Sequence, residues 1–558
     1  MSISKRGSTT PVGDDAPLAS VGDLFNRFEA GIGAPAEGMV GPAPEIGIGA
    51  PADGVGEPGI EIGIGAPPEV LGEPGPEIGI GAPAGHDTPP EEVDLSSLGT
   101  WESVPELTIA DDNDEPTSQK GGGAGVDPTA ANFAGGNVGT VLPLGTNPDG
   151  SHFFTGNRNV DATLIGAKWD TLNLTFSFPT SGSNYNGTGL DSNGVNVYHI
   201  DLGPQQQTAA RAAFAFISSV TGLTFTEITE TDSVHANIRI SQTADQDAPS
   251  AYGGFPSDFR GVAGDIWFGR TNQPYYDLAF KGTWGFSTMM HEIGHTMGLK
   301  HGHQDYTNLD LSAFFGTSPR FGSQSLTADR DGQAWSLMTY TPAPFTNSNF
   351  AGDKISQPQT YMQYDIAALQ YMYGANFNTN SGDSVYTFSQ TTGEMFINGV
   401  GQGAPAGNNI FLTIWDGGGN DTIDASNYAN GVTIDLRPGE FSTVDQAQLV
   451  NSLTLQNLVS LAPGNFAMAL LYNNDSRSLI ENAKGGIGND IFVGNTANNV
   501  LDGGAGSDTV IFTSVTGVNV TLNDTNTDVV VNHDGETATL RSIENIGGPS
   551  GNDTITGN

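Results

Sequence analysis

The chain has 558 residues, no cysteine, and 62 acidic against 19 basic side chains, a formal net charge of −43. The length allows two or three domains. The absence of cysteine excludes disulfides, and the charge argues against nucleic acid and anionic membrane as partners, since both need clustered Lys and Arg. No apolar run is long enough for an N-terminal signal peptide or a membrane span, so no membrane insertion is expected and any export has to use another route.

Residues 1–125 are rich in Gly, Pro, Ala and Glu, and an Ala-Pro pair recurs with a sixteen-residue period at Ala34-Pro35, Ala50-Pro51, Ala66-Pro67 and Ala82-Pro83. So much proline and so few bulky side chains cannot build a repeat core, so the segment reads as disordered, with one short amphipathic piece at Leu24, Phe25 and Phe28. Its place ahead of a globular domain makes it a candidate propeptide. Globular patterning begins near Asn137. Alternation through Leu172, Leu174, Phe176 and Phe178 predicts a strand from Trp169 to Pro179. An Ala- and Phe-rich run predicts a helix from Gln205 to Val220, and Ala236 to Ile240 reads as a further strand. This order of elements predicts an α+β domain with one mixed sheet over residues 126–375.

The stretch that organises the domain is His-Glu-Ile-Gly-His-Thr-Met-Gly-Leu-Lys-His, from His291 to His301. Helical spacing of the preceding apolar residues predicts a helix from Thr283 to Met297, which puts His291 and His295 one turn apart on the same face. Gly298 has the freedom to take the left-handed turn that ends a helix, which brings His301 back as a third nitrogen ligand. Three neutral imidazoles and an open position describe a catalytic zinc site, whereas a structural site is closed by four protein ligands. Glu292, next to the first ligand, is placed to act as a base on a water at that ion.

The extended string H-E-x-x-H-x-x-G-x-x-H resembles that of the metzincins, whose second mark is a methionine turn under the metal. Ser336-Leu337-Met338-Thr339-Tyr340 lies at a suitable distance downstream, and here the sequence is similar to the serralysin group. In that group a tyrosine two residues after the turn methionine approaches the zinc and steadies the transition state, a role the resemblance gives to Tyr340. It also implies that Ala251 to Pro256, with Ala251, Tyr252, Gly253, Gly254 and Phe255, forms a sheet edge that pairs with an extended substrate. A helix at Tyr364 to Gln370 resembles the closing helix of the family, with the domain ending near Gly374.

Residues 376–558 have a different texture. Gly485 to Val493 matches the nonapeptide G-G-x-G-x-D-x-U-x of the calcium-binding parallel β-roll; Gly494 to Asp502 is a degenerate copy and Gly503 to Ile511 matches again. Alternate repeats turn on the same side of such a roll, so the loops holding Gly486, Gly488 and Asp490 and holding Gly504, Gly506 and Asp508 are expected to stack. Together they offer the oxygens that calcium needs. Asp416, Gly418, Gly419 and Asp421 form a weaker copy, and Gly548 to Asp553 another. The serralysin resemblance adds Glu481 as a calcium ligand in the lead into the repeats. It also identifies Gly382 to Tyr386 as the entry to the roll, where Asn380 stands in place of the usual arginine.

The resemblance therefore implies a secreted zinc endopeptidase, monomeric, carrying a catalytic zinc and several structural calcium ions. Its partners would be protein or peptide substrates and a secretion machinery that reads a signal other than an N-terminal one. A calcium-dependent scaffold with a relic protease domain is the alternative from another class. The intact Glu292 argues against it, because that residue has no evident structural use. An enzyme using the same zinc string on another kind of substrate is the third reading, which the candidate edge strand disfavours.

Overall fold

A computed structural model describes residues 139–142, 145–146, 152–182, 185, 198–231, 234–244, 250–256, 263–269, 273–304, 325–341, 355–453, 459–513, 517–522, 528–533, 535–548 and 553–556. The N-terminal repeat segment, residues 1–125, with Leu24, Phe25 and Phe28, lies outside the described residues. Among the described residues, no helix is long and apolar enough to cross a membrane.

Apolar and β-branched residues build one mixed sheet in the order Thr224–Glu227, Asn173–Ser177, Ile238–Thr243, Asp265–Gly269, Ala251–Gly253, with His199–Ile200 paired to the far end of the middle strand. Neighbours among the first four strands run parallel, and Ala251–Gly253 runs antiparallel at the edge. The stretch expected as one strand from Trp169 to Pro179 is divided. Ala167–Trp169 pairs with Gly139–Val141, and only Asn173–Ser177 joins the sheet. Leu172 between them is 45% exposed, so its apolar side chain belongs to a turn rather than to the alternating core face. The strand expected from Ala236 begins at Ile238: the Asn237 amide donates to the Thr175 hydroxyl, and Asn237 Oδ1 accepts from the Thr175 amide and hydroxyl, so side chains replace the ladder there.

The helix Pro204–Val220 opens with a proline, whose missing N–H costs nothing in the first turn. It turns Ala209, Ala210, Ala213, Phe214, Ile217 and Val220 inward and packs against the central helix Trp284–Met297. The small alanines allow close approach, while each large apolar side chain buried at the contact contributes about 1.5–3 kcal/mol. The central helix starts where the Thr283 hydroxyl accepts from the Phe286 amide. It stops at Gly298, whose φ of +104° admits the left-handed conformation. A Cβ there would stand 2.3 Å from the Ala167 carbonyl oxygen, so glycine is required on two grounds. The last carbonyls, of Thr296 and Met297, accept from Trp169 Nε1 and Tyr373 Oη, which satisfies acceptors the helix itself leaves open. Tyr373 ends the closing helix Gln363–Tyr373.

Beyond Gly374 the chain winds into a roll with a second apolar core, and its two largest sheets carry the repeats. One carries Val385–Phe388, Thr422–Asp424, Asn482–Lys484, Asn499–Asp502 and Glu536–Arg541; the other carries Thr433–Asp435, Ile491–Val493, Thr509–Ile511 and Asn545–Gly547. Two of these strands pair in parallel with the strand two nonapeptides further on, Asn482 opposite Val500 and Ile491 opposite Thr509, while Asn499 and Thr509 pair in parallel with the later Ala538 and Asn545. The roll is not purely parallel: antiparallel hairpins, Met395–Ile397 with Val400–Gly401 and Val529–His533 with Glu536–Arg541, close both ends of the larger sheet.

Candidate metal centre

His291 and His295 come from the central helix and His301 from the loop after Gly298, and one ring nitrogen of each lies within 4.8 Å of the others. Nε2 of His301 is 3.0 Å from Nε2 of His291 and 3.1 Å from that of His295. The other ring nitrogens face acceptors: Nδ1 of His291 donates to the Leu337 carbonyl at 3.0 Å, Nδ1 of His295 to the Leu299 carbonyl at 2.7 Å, and Nδ1 of His301 to Gln304 Oε1 at 3.1 Å. Those acceptors assign the proton to Nδ1 in every ring, so each Nε2 presents a bare lone pair. Three converging lone pairs repel unless they share a cation, and a zinc ion binds imidazole nitrogen at about 2.0–2.1 Å, a reach that fits these separations. Burial, and then the neighbouring imidazoles, hold His291 and His301 well below the ordinary histidine range, and burial brings His295 down to about 4. All three rings are thus neutral at pH 7, the form that ligates metal.

The turn at Ser336 to Tyr340 lies against this cluster. Met338 is fully buried, and a Cβ on Gly294 would stand 2.8 Å from its sulfur, so the glycine inside the histidine string makes room for the methionine. Tyr340 Oη is 2.8 Å from Nε2 of His301 and thus reaches the point where the three imidazoles meet. Glu292 is buried beside the ligands, 5% exposed. On the other side, the edge strand rests on the central helix: a Cβ on Gly253 would lie 2.5 Å from the Glu292 carbonyl oxygen and 3.3 Å from His295 Cβ. The strand is shorter than the expected Ala251 to Pro256, ending at Gly253, although Gly254 still exchanges backbone bonds with Asp265 and Gly264. Pro256 has no N–H to extend the ladder. The ring of Phe255 meets His295 edge to face at 5.3 Å.

Several residues around the cluster escaped the sequence reading. The buried carboxylate of Asp365 accepts from the Ser336 hydroxyl and from the Leu337 and Met362 amides, and so holds the turn whose carbonyl orients His291. Burial raises its carboxyl to about 6 while those donors pull it back. His303 accepts from the Tyr340 amide at 3.3 Å and packs its ring 4.7 Å from that of Tyr340. Gln304 carries the acceptor for His301. The one local signal was the capping position of Asp365 in the closing helix; the long-range partners left none.

In the roll, the structure stacks the two full repeats. The Asp490 amide donates to Asp508 Oδ1, the Ala505 amide to the Gly486 carbonyl, and the Gly486 amide to Asp490 Oδ2. Gly506 has φ +146°, and a Cβ on it would be 1.9 Å from the Gly488 carbonyl oxygen; a Cβ on Gly504 would be 2.3 Å from that of Gly486. Only glycine lets the loops approach so closely. The weaker copy is a separate cluster. Asp416 accepts from Tyr386 and the Gly418 amide, Asp421 accepts from the Ser384 amide, and the Asp421 amide donates to Glu481. Gly419 lies against Asp421. Asp383, within the expected entry to the roll, accepts there from the Asn420 amide. Asn380, at the position of the family arginine, donates to Tyr386 instead. Asp553 is exposed and accepts from the Val518 amide, apart from both sets. Burial raises the carboxyls of Asp416, Asp421 and Asp508, and one buried oxygen each of Asp421 and Asp508 has no hydrogen-bond partner. Orphaned carboxylate oxygens held in glycine loops are a donor set that suits calcium.

Residues 195–310 match the family model described as Matrixin, and residues 375–546 match that described as Peptidase M10 serralysin C terminal. The chain is 33% identical over 336 residues to Metallopeptidase AprA of Pseudomonas marginalis, covering 59% of this chain and 61% of that protein. It is 34% identical over 252 residues to Serralysin G of Dickeya chrysanthemi, covering 45% and 44%. With Metalloprotease AprA of Pseudomonas entomophila the identity is 32% over 370 residues, 64% of this chain and 67% of the other. The chain thus spans 61% and 44% of the length of the first two relatives.

Proposed function

The chain belongs to the serralysin family, and on that premise we propose that it is a secreted zinc endopeptidase that cleaves extracellular proteins and is stabilised by calcium in its C-terminal roll. The convergence of three Nε2 lone pairs on one point, with Glu292 and Tyr340 beside it, carries this reading. Zinc bound there would acidify an attacking water and polarise the scissile carbonyl. The Glu292 carboxylate takes the water's proton, orients it for attack and returns the proton to the leaving amine. Tyr340 donates a hydrogen bond to the oxyanion as it forms. The edge from Ala251 to Phe255 pairs its backbone with an extended peptide, and Gly253 keeps that edge close to the ligand helix.

In this reading residues 126–375 form the catalytic domain, 376–558 the calcium roll, and 1–125 a propeptide. One calcium set is Asp416, Gly418, Gly419, Asp421 and Glu481; a second is Gly486, Gly488, Asp490, Gly504, Gly506 and Asp508; Asp553 belongs to a third. The protein acts as a monomer outside the cell. Metal analysis of the purified protein, mass spectrometry of its N-terminus and a casein zymogram with and without a zinc chelator test these points together. Substoichiometric zinc, or clearing of casein that survives the chelator, would overturn the peptidase reading.

A further inference from the structure

The central helix holds two of the imidazoles, but His301 hangs from the loop that follows it and needs support of its own. That support converges on Lys300. Its side chain is fully buried, and Nζ donates to the carbonyl oxygens of Ala162 at 2.5 Å, Gln304 at 3.0 Å and His301 itself at 3.3 Å. Its amide donates to the Thr163 carbonyl at 2.7 Å. One ammonium therefore ties together the peptide of the ligand, the peptide of the residue whose side chain accepts from His301 Nδ1, and a segment far earlier in the chain.

Packing does not account for a lysine here. Withdrawing an ammonium from water is costly, and a methionine would fill the same space without that cost. What a methionine lacks is the ability to bind three carbonyl oxygens at once. We propose that Lys300 is a positioning residue for the third metal ligand: it clamps the turn from His301 to Gln304 so that Gln304 Oε1 meets Nδ1 and Nε2 is aimed at the two helix imidazoles. Partners of this outer kind set metal affinity through the orientation and basicity of the ligand. The inference rests on the zinc peptidase reading and deepens it.

The test uses the full chain with Lys300→Met. Zinc affinity is measured by competition with a chromogenic chelator, and the site geometry by the visible absorption of the cobalt-substituted protein. The expected result is a loss of zinc affinity of roughly tenfold or more with shifted cobalt bands, while the calcium-dependent circular dichroism of the roll is unchanged. Wild-type affinity and bands in the mutant would overturn the clamp. Should the mutant fail to fold, Gln304→Leu decides: it removes the acceptor for Nδ1 and keeps the ammonium, so it too has to weaken zinc binding and shift the bands, and an unchanged site would overturn the clamp. Absence of zinc binding in the wild-type chain would instead sink the peptidase reading itself.

Discussion

Glu292 and Tyr340 flank the same cluster but are given different tasks, and single substitutions separate them. Glu292→Gln keeps size and burial and removes the base. Zinc content should stay at the wild-type level while kcat/KM on a peptide substrate falls by about 10²–10⁴. Turnover retained in a zinc-loaded mutant would refute the assignment. Tyr340→Phe should lower kcat by about 10²–10³ with little change in KM, because in the proposed mechanism the hydrogen bond it removes is made to the transition state alone. A rise in KM at constant kcat would mean that the tyrosine binds ground-state substrate. Asp365 acts one layer further out. Asp365→Asn turns an amide N–H₂ towards donors that now face a carboxylate, and the unmet groups should cost about 1–3 kcal/mol, read as a drop in Tm of the metal-free protein.

Glycine decides how closely elements approach. At Gly253 a methyl would meet the backbone of the central helix, which cannot swing aside as a side chain would. Gly253→Ala should therefore lift the edge strand, raising KM for extended peptides while zinc content holds; an unchanged KM would show that substrate does not use this edge. At Gly506 two constraints coincide, a positive φ and a neighbouring carbonyl oxygen. The sequence periods were strong enough to read these elements directly. The central helix begins at its threonine cap and ends before its glycine as expected, and the nonapeptide copies do pair two repeats apart. Strand limits were less legible, since Leu172 and Asn237 follow the pattern of a strand but are drawn off by a turn and by a side-chain bond.

At the scale of the whole molecule, carboxyls buried in the roll make folding depend on pH. In the metal-free roll, burial and then the neighbouring Asp490 and Glu544 raise the Asp508 carboxyl to about 6. A carboxyl whose folded value is raised stabilises the fold in its protonated form, so the contribution is full below about pH 4 and is lost as pH rises through about 6. With a chelator present, the Tm of the roll should fall between about pH 4 and 7. With excess calcium, which needs the carboxylates ionised, it should rise over the same interval. Parallel profiles in scanning calorimetry would contradict calcium binding at these loops. Everything set by spacing along the chain is legible without coordinates: the helix that presents two imidazoles, the glycine that returns the third, the repeat that winds the roll. What holds those groups in place emerges on folding: the grip of Asp365 on Leu337, of Gln304 and Lys300 on His301, and of Gly253 on the central helix. A periodic pattern records which face of an element is buried. The partner a buried polar group meets depends on how distant segments close over one another, and that is not written in any local window.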